Sequence, residues 1–195
     1  MSSLDPELAW YVARGSGLVA YLLMAISVCL GIAVSKRWHA ERVPRLLVAE
    51  AHRSVVSTLY IFIILHIVTV ATHMPEQVSS LDYVVPLLSD YHTKRMALGI
   101  VATQLAFALG LSVWARKWIG FRAWRLLHCL AYPMFLAALS HGIAAGSDTS
   151  TIWGMAVYGG SILAVLCATA WRLRCTARVA VLRPRSVWSR VGGSA

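Results

Sequence analysis

Charged residues along this chain are confined to short segments. Between them lie five stretches without a single Asp, Glu, Lys or Arg: Gly15–Ser35, Ser54–Pro75, Met96–Ala115, Leu126–Ser147 and Thr151–Trp171. Each meets the length of about 20 residues that a helix needs to cross the hydrocarbon core of a bilayer. Each has to be helical, because a lone strand would leave its backbone N–H and C=O groups unsatisfied in lipid. The pattern predicts an all-α integral membrane bundle of about five transmembrane helices over residues 1–175, followed by a short basic cytoplasmic tail, 176–195. The connections are short except Met74–Lys94, where Leu81, Val84, Val85, Leu87 and Leu88 lie among acids. That segment reads as partly amphipathic and lying at one membrane face. No internal repeat, low-complexity tract or second domain is expected.

The basic residues orient the bundle. Fifteen of the 18 Lys and Arg residues fall in the first-to-second connection, the third-to-fourth connection and the tail. The opposite side holds Arg14, Lys94 and Arg95 together with Asp5, Glu7, Glu76, Asp82, Asp90 and Asp148. The positive-inside rule therefore predicts the N-terminus outside and the C-terminus in the cytoplasm, which requires an odd number of crossings. Trp10, Tyr11, Tyr83, Tyr91 and Trp153 then form an outer aromatic belt, and Trp38, Trp114, Trp118, Trp124 and Trp171 an inner one. The expected location is the plasma (inner) membrane, in contact with lipid.

Composition agrees. The chain is 58% apolar and 13% charged, more apolar than a soluble domain of this length requires. A net charge of +10 on a soluble chain would suggest nucleic acid, but no basic face with interleaved aromatics is present, and no nucleic-acid partner is expected. The cysteines, Cys29, Cys129, Cys167 and Cys175, have no CxxC spacing, so neither a disulfide framework nor covalent c-type haem attachment (CxxCH) is expected. Met1–Leu8 carries Asp5 and Glu7 and no basic residue, so it lacks the positive n-region of a signal peptide, and the first apolar stretch is kept as a spanning helix.

Of seven histidines, four sit at or within two of the apolar stretches: His52 and His66, fourteen residues apart, and His128 and His141, thirteen apart. Ionisable groups within a span are costly and usually functional, and neutral imidazole is a common axial ligand of haem iron. The separations correspond to about 21 and about 19.5 Å along a helix axis. The second and fourth helices run the same way, so His52 falls level with His128 near the cytoplasmic face, and His66 level with His141 near the outer face. Each level offers two opposed imidazoles, the pattern expected for two stacked bis-histidine haems. Fourteen residues return to within about 40° of one helix face, whereas thirteen leave about 140°. Pro133, lying between His128 and His141, is expected to disturb the winding there. The competing reading is that these histidines bridge helices by hydrogen bonds.

Haem propionates are anionic and require cations. Arg14 is the outer candidate, with Lys94 and Arg95 behind it; Arg53 and Arg125 are the inner ones, equally compatible with lipid phosphate contact. Tyr132, Phe135 and Phe107 are candidates for filling the gap between haems, and Gly142, Ala144, Ala145 and Gly146 for leaving room for a macrocycle. His39, His73 and His92 read as surface or interfacial residues, with His73, Met74 and His92 a weak candidate outer metal site.

The stretches WYVARGSGLVAYLL (Trp10–Leu23), AHRSVVSTLYIFIILH (Ala51–His66) and WRLLHCLAYPMFLAALSHGIAAGSD (Trp124–Asp148) resemble the ferric reductase-like transmembrane domain family. This family includes ferric reductases, the membrane part of NADPH oxidases and the haem subunit of the bacterial methionine sulfoxide reductase system. The resemblance covers roughly Trp10–Trp171, and its most specific element is the paired-histidine spacing in alternate helices. It implies two non-covalent b-type haems held by His52, His66, His128 and His141, and electron transfer across the membrane. Two features depart from the family: no flavin or nicotinamide nucleotide fingerprint follows the apolar region, and many members have six spans rather than five. The implied donor is a separate flavoprotein reductase or a quinol. The implied acceptor is ferric iron, oxygen or an extracytoplasmic redox partner. Two alternatives stay open: a quinone-linked haem anchor subunit of a partner oxidoreductase, and a haem-free membrane binding or transport protein.

Overall fold

A computed structural model describes residues 5–41, 43–73, 81, 84–87 and 93–181, with backbone alone for His73 and residues 177–181. The chain forms α1 (Pro6–Ser35), α2 (Arg45–His73), α3 (Thr93–Leu127), a three-residue 3-10 turn (His128–Leu130), α4 (Ala131–Ala145) and α5 (Ile152–Val181). Among the described residues there is no strand, only an isolated bridge between Ala40 and Val43. The start of α1 is fixed locally. The Asp5 carboxylate accepts from the Glu7 N–H at 3.1 Å, and Pro6 occupies a first-turn position where its missing N–H costs nothing.

Four helical runs are long and apolar enough to cross a membrane: Pro6–Ser35, Arg45–Thr72, Thr93–Ala145 and Ile152–Thr176. The sequence pattern separates the third and fourth stretches, whereas the helix continues past the charged segment between them, giving one run of 53 residues. A straight helix of that length would extend about 80 Å, more than twice the ~30 Å hydrocarbon core. It is not straight. Gly120, at φ 79° and ψ 162°, is non-helical and breaks α3. Its positive φ is one that a side-chain-bearing residue adopts only under strain. Beyond it the chain returns, so that His141 on α4 meets Arg95 and Gly99 near the start of α3.

Side-chain contacts fix the helix directions. α1 and α2 are antiparallel, with Gly17 beside His66 and Gly31 beside His52. α1 and α5 run parallel in constant register, since Tyr21 bonds Ser161 and Lys36 bonds Thr176. α1 is the central element. It supplies Ala20 and Met24 to a core with Leu59, Ile63, Ala106, Leu109 and Met134, and Tyr21, Ala25, Val28 and Ile32 to a second core with Phe135, Leu139 and Val165. Large apolar side chains also cover the outside, including Ile61, Leu111, Leu136, Leu163 and Leu166. Such continuous apolar exposure fits lipid and not water.

Between α2 and α3, the described residues Leu81 and Val84 to Leu87 form turns, with Val84 and Val85 N–H groups bonding Leu81 O and Leu87 at φ 69°. The rest of the expected amphipathic segment lies outside the described residues. α5 runs to Val181, past the expected start of the tail at 176, and residues 182–195 lie outside the described residues.

A matched substitution pair tests the break. Gly120→Ala is expected to destabilise the detergent-purified protein by about 1–3 kcal/mol, because the strained φ remains without glycine. Gly160→Ala, helical and facing open space, is expected to be neutral or stabilising by up to about 1 kcal/mol. Thermal unfolding of the two variants checks the contrast.

Candidate functional site

The four intramembrane histidines form two levels. His66 and His141 face each other with ring centroids 6.3 Å apart and ring planes at 77°. Two metal–imidazole bonds of about 2.0–2.1 Å, with about 1 Å added for each half-ring, place opposed rings about 6 Å apart. The observed centroid separation is of that size. The orientation of both rings is set from behind: His66 Nδ1 donates to Ala13 O at 2.8 Å and His141 Nδ1 to Arg95 O at 2.7 Å. A protonated Nδ1 leaves Nε2 with the lone pair, the tautomer that a ligating histidine requires.

How a helix lends a backbone carbonyl sideways is readable in the local sequence. The carbonyl of residue i normally points at the N–H of residue i+4 and is screened by that residue's side chain. Where i+4 is glycine, the carbonyl is open to a lateral donor. Gly17 stands four residues after Ala13, and Gly99 four after Arg95. A Cβ built on Gly17 would sit 2.9 Å from His66 Nδ1, and one on Gly99 2.8 Å from His141 Cε1. Tyr60 uses the same device, its hydroxyl donating to Ala106 O at 2.6 Å while its ring rests against Gly110. On α1 the motif recurs fourteen residues later as Ser27 and Gly31, matching the His52–His66 spacing of the antiparallel α2.

His52 lies against Gly31, and His128 is its electrostatic neighbour across the bundle. The His52 ring is set toward the Ser27 carbonyl, while His128 Nδ1 is buried without a hydrogen-bond partner. Trp124 packs against His128 with centroids 4.9 Å apart and ring planes tilted by 35°. A 3-10 turn at His128–Leu130 lies between the ligand candidates and alters the winding over the thirteen-residue spacing. Pro133 has no N–H for the Cys129 carbonyl four residues back, so the preceding turn tightens. Three residues wound at about 120° instead of about 100° reduce the mismatch of about 140° to about 80°.

A cavity of about 550 Å³, in the range of cofactor sites, is lined by His66 and His141 and by mostly apolar residues of α1 to α5, with Arg14, Arg95, Asp148 and Tyr158 among its polar groups. Arg14 is ion-paired with Asp148, and its guanidinium lies 4.8 Å from the Trp10 ring centroid. Lys94 and Arg95 side chains are exposed. Arg53 is exposed and paired with Glu50 on its own helix, and Arg125 is exposed. Phe135 is buried against Tyr21, Phe107 packs on Tyr60, and Tyr132 accepts from Arg172 at 3.4 Å. Gly142 and Gly146 make room for Tyr158. Exposed His39 contacts Arg37 O, while the His73 side chain, Met74 and His92 lie outside the described residues. Among the described residues no three His, Cys, Asp or Glu side chains converge.

No protein-family model, curated protein or solved structure matches the chain.

The glycine cradles are testable without reference to any cofactor. Gly17→Ala and Gly99→Ala are expected to push the His66 and His141 rings aside and to cost about 1–3 kcal/mol each. Gly15→Ala, next to open space, is expected to cost nothing. Thermal unfolding in detergent reads the difference.

Proposed function

We propose that the protein is a transmembrane di-haem b cytochrome of ferric reductase type, passing electrons from a cytoplasmic-side donor to an extracytoplasmic acceptor. The observation that carries this reading is the His66/His141 pair, with rings 6.3 Å apart and both Nδ1 atoms committed to backbone carbonyls. An apolar cavity beside the pair, and a second pair at His52 and His128, support it. Haem, when bound, supplies reversible one-electron chemistry. His66 and His141 would hold one haem and His52 and His128 the other, with the Ala13 and Arg95 carbonyls fixing the His66 and His141 rings and the apolar cavity walls keeping water out.

In this reading the bundle crosses the plasma membrane five times, with the break at Gly120 turning the third crossing into the fourth and the N-terminus outside. The distribution of basic residues supports the orientation. With the interior negative, outward electron movement is favoured by about 2.3 kcal/mol per 100 mV. The donor is a separate flavoprotein or a quinol, and the acceptor ferric iron, oxygen or a redox partner.

A reduced-minus-oxidised absorption spectrum of the purified protein, with haem quantified per chain, tests this directly. Two b-type haems per chain are expected. His66→Ala and His141→Ala are each expected to remove one haem and leave the other. Absence of haem from protein made with ample haem supply would sink the proposal and leave the histidines as helix-bridging groups.

A further inference from the structure

Past the middle of α3 the chain stands clear of the bundle. Every residue from Arg116 to Leu127 is exposed except the half-buried Trp124. A helical segment surrounded by water on all sides is normally polar all round. This one is not: Trp118 is 67% exposed, Phe121 60% and Leu126 75%, and Trp114, just before them, 75%. Between these side chains stand Arg116, Lys117, Arg122 and Arg125.

No carboxylate answers those four cations. The chain has no Asp or Glu between Asp90 and Asp148, and the ion pairs among the described residues, Arg14–Asp148 and Arg53–Glu50, involve none of the four. Two are seated on indoles instead. Arg116 reaches across the break at Gly120 to lie 5.4 Å from the Trp124 ring centroid, and the Lys117 ammonium lies 4.3 Å from that of Trp118. A ring face orients a cation and leaves its N–H groups free to donate to an anion. Trp114, 6.4 Å from Trp118, and Phe121, 5.5 Å from Trp124, extend the aromatic surface on either side of the break.

Depth and chemistry together decide what meets this surface. Met96–Ala115 has the length that crosses hydrocarbon, and the next apolar stretch begins at Leu126. Residues 116–125 therefore fall at headgroup level, where indoles and long cationic side chains are both favoured. An acidic protein would complement the charge but leave Trp114, Trp118 and Leu126 without an apolar phase. An anionic lipid supplies phosphate and hydrocarbon side by side.

We propose that residues 114–127, bent at Gly120, form a binding surface for anionic phospholipid headgroups. Arg116, Lys117, Arg122 and Arg125 take the phosphates, and Trp114, Trp118 and Phe121 enter the interfacial layer beside them. An aromatic belt by itself is indifferent to headgroup charge, whereas this surface selects an anionic leaflet.

The test uses the full chain in phosphatidylcholine nanodiscs carrying an equal fraction of bromine-labelled phosphatidylglycerol or bromine-labelled phosphatidylcholine. Quenching of tryptophan fluorescence is compared as the ratio between the two lipids in each variant, so that other quenchers cancel. The variants are Arg116→Gln with Lys117→Gln, and Arg122→Gln with Arg125→Gln. Arg37→Gln with Arg45→Gln is the control, removing the same charge from exposed positions of the first-to-second connection. Phosphatidylglycerol is expected to quench the wild type more strongly, and Trp114→Phe with Trp118→Phe to remove most of that excess, which locates it. Each cation is worth about fivefold in preference for an anionic surface, so each double variant loses most of the excess while the control keeps it. About 1 M salt, where the screening length falls to about 3 Å, abolishes it. Should a double variant fail to fold, Lys117→Gln and Arg122→Gln singly carry the same readout with a smaller loss. Equal quenching of the wild type by the two lipids, or an equal loss in the control pair, refutes the surface. Quenching of Trp114 and Trp118 by aqueous acrylamide with no lipid preference also refutes it, and marks a water-facing surface for an acidic protein. The readout involves no haem, so its failure leaves the di-haem reading standing, and a haem-free wild type leaves the lipid surface standing.

Discussion

A backbone carbonyl inside a helix is available to a neighbouring element only where the residue one turn ahead has no side chain, and this bundle is arranged around that constraint. Ala13 with Gly17 and Arg95 with Gly99 each offer an oxygen to an imidazole, and Ala106 with Gly110 offers one to Tyr60. In each case the glycine does two jobs. It uncovers the acceptor and lets the ring approach the helix backbone closely. A hydrogen bond made in a low-dielectric interior is stronger than in water and expensive to leave unmade. It therefore sets both the spacing of α1 against α2 and that of α3 against α4. The packing of Ala20, Met24, Ala106 and Met134 follows from helices already held at that distance.

The helices were legible in the sequence because lipid-facing and core-facing positions are both apolar, which makes each span a run without charge. The four histidines were legible for the same reason, standing out against that background. What lay beyond reach was connectivity through glycines and carbonyls, since a carbonyl leaves no mark in a sequence. One trace was present: Gly17 and Gly31 repeat the fourteen-residue spacing of His52 and His66, as an antiparallel neighbour must. The Arg14–Asp148 pair joins residues 134 positions apart in the chain and had no local signature. The Arg53–Glu50 pair did, at i and i+3, and it draws Arg53 outward.

Helix boundaries were the less legible part. The charged segment Arg116–Arg125 reads as a connection, yet the chain stays helical on either side of Gly120 and turns at that single residue. Charge marks where a helix leaves hydrocarbon, while helix termination depends on local backbone geometry; the two need not coincide. Pro133 shows the converse. Its effect falls one turn upstream, at His128–Leu130, because the group it leaves unsatisfied is the carbonyl four residues earlier.

The central position of α1 has a consequence for biosynthesis. α1 is made well before the residues that satisfy its buried groups: Tyr21 bonds Ser161, and Arg14 bonds Asp148. At about 5–20 residues per second, the interval between them is on the order of ten seconds. Through that time α1 must reside in the membrane, or beside the insertion machinery, with a hydroxyl, a guanidinium and open carbonyls facing lipid or a temporary protector. Assembly of this bundle is thus gated by the arrival of α5, and truncation before residue 161 leaves α1 unmatched rather than merely leaving the bundle short.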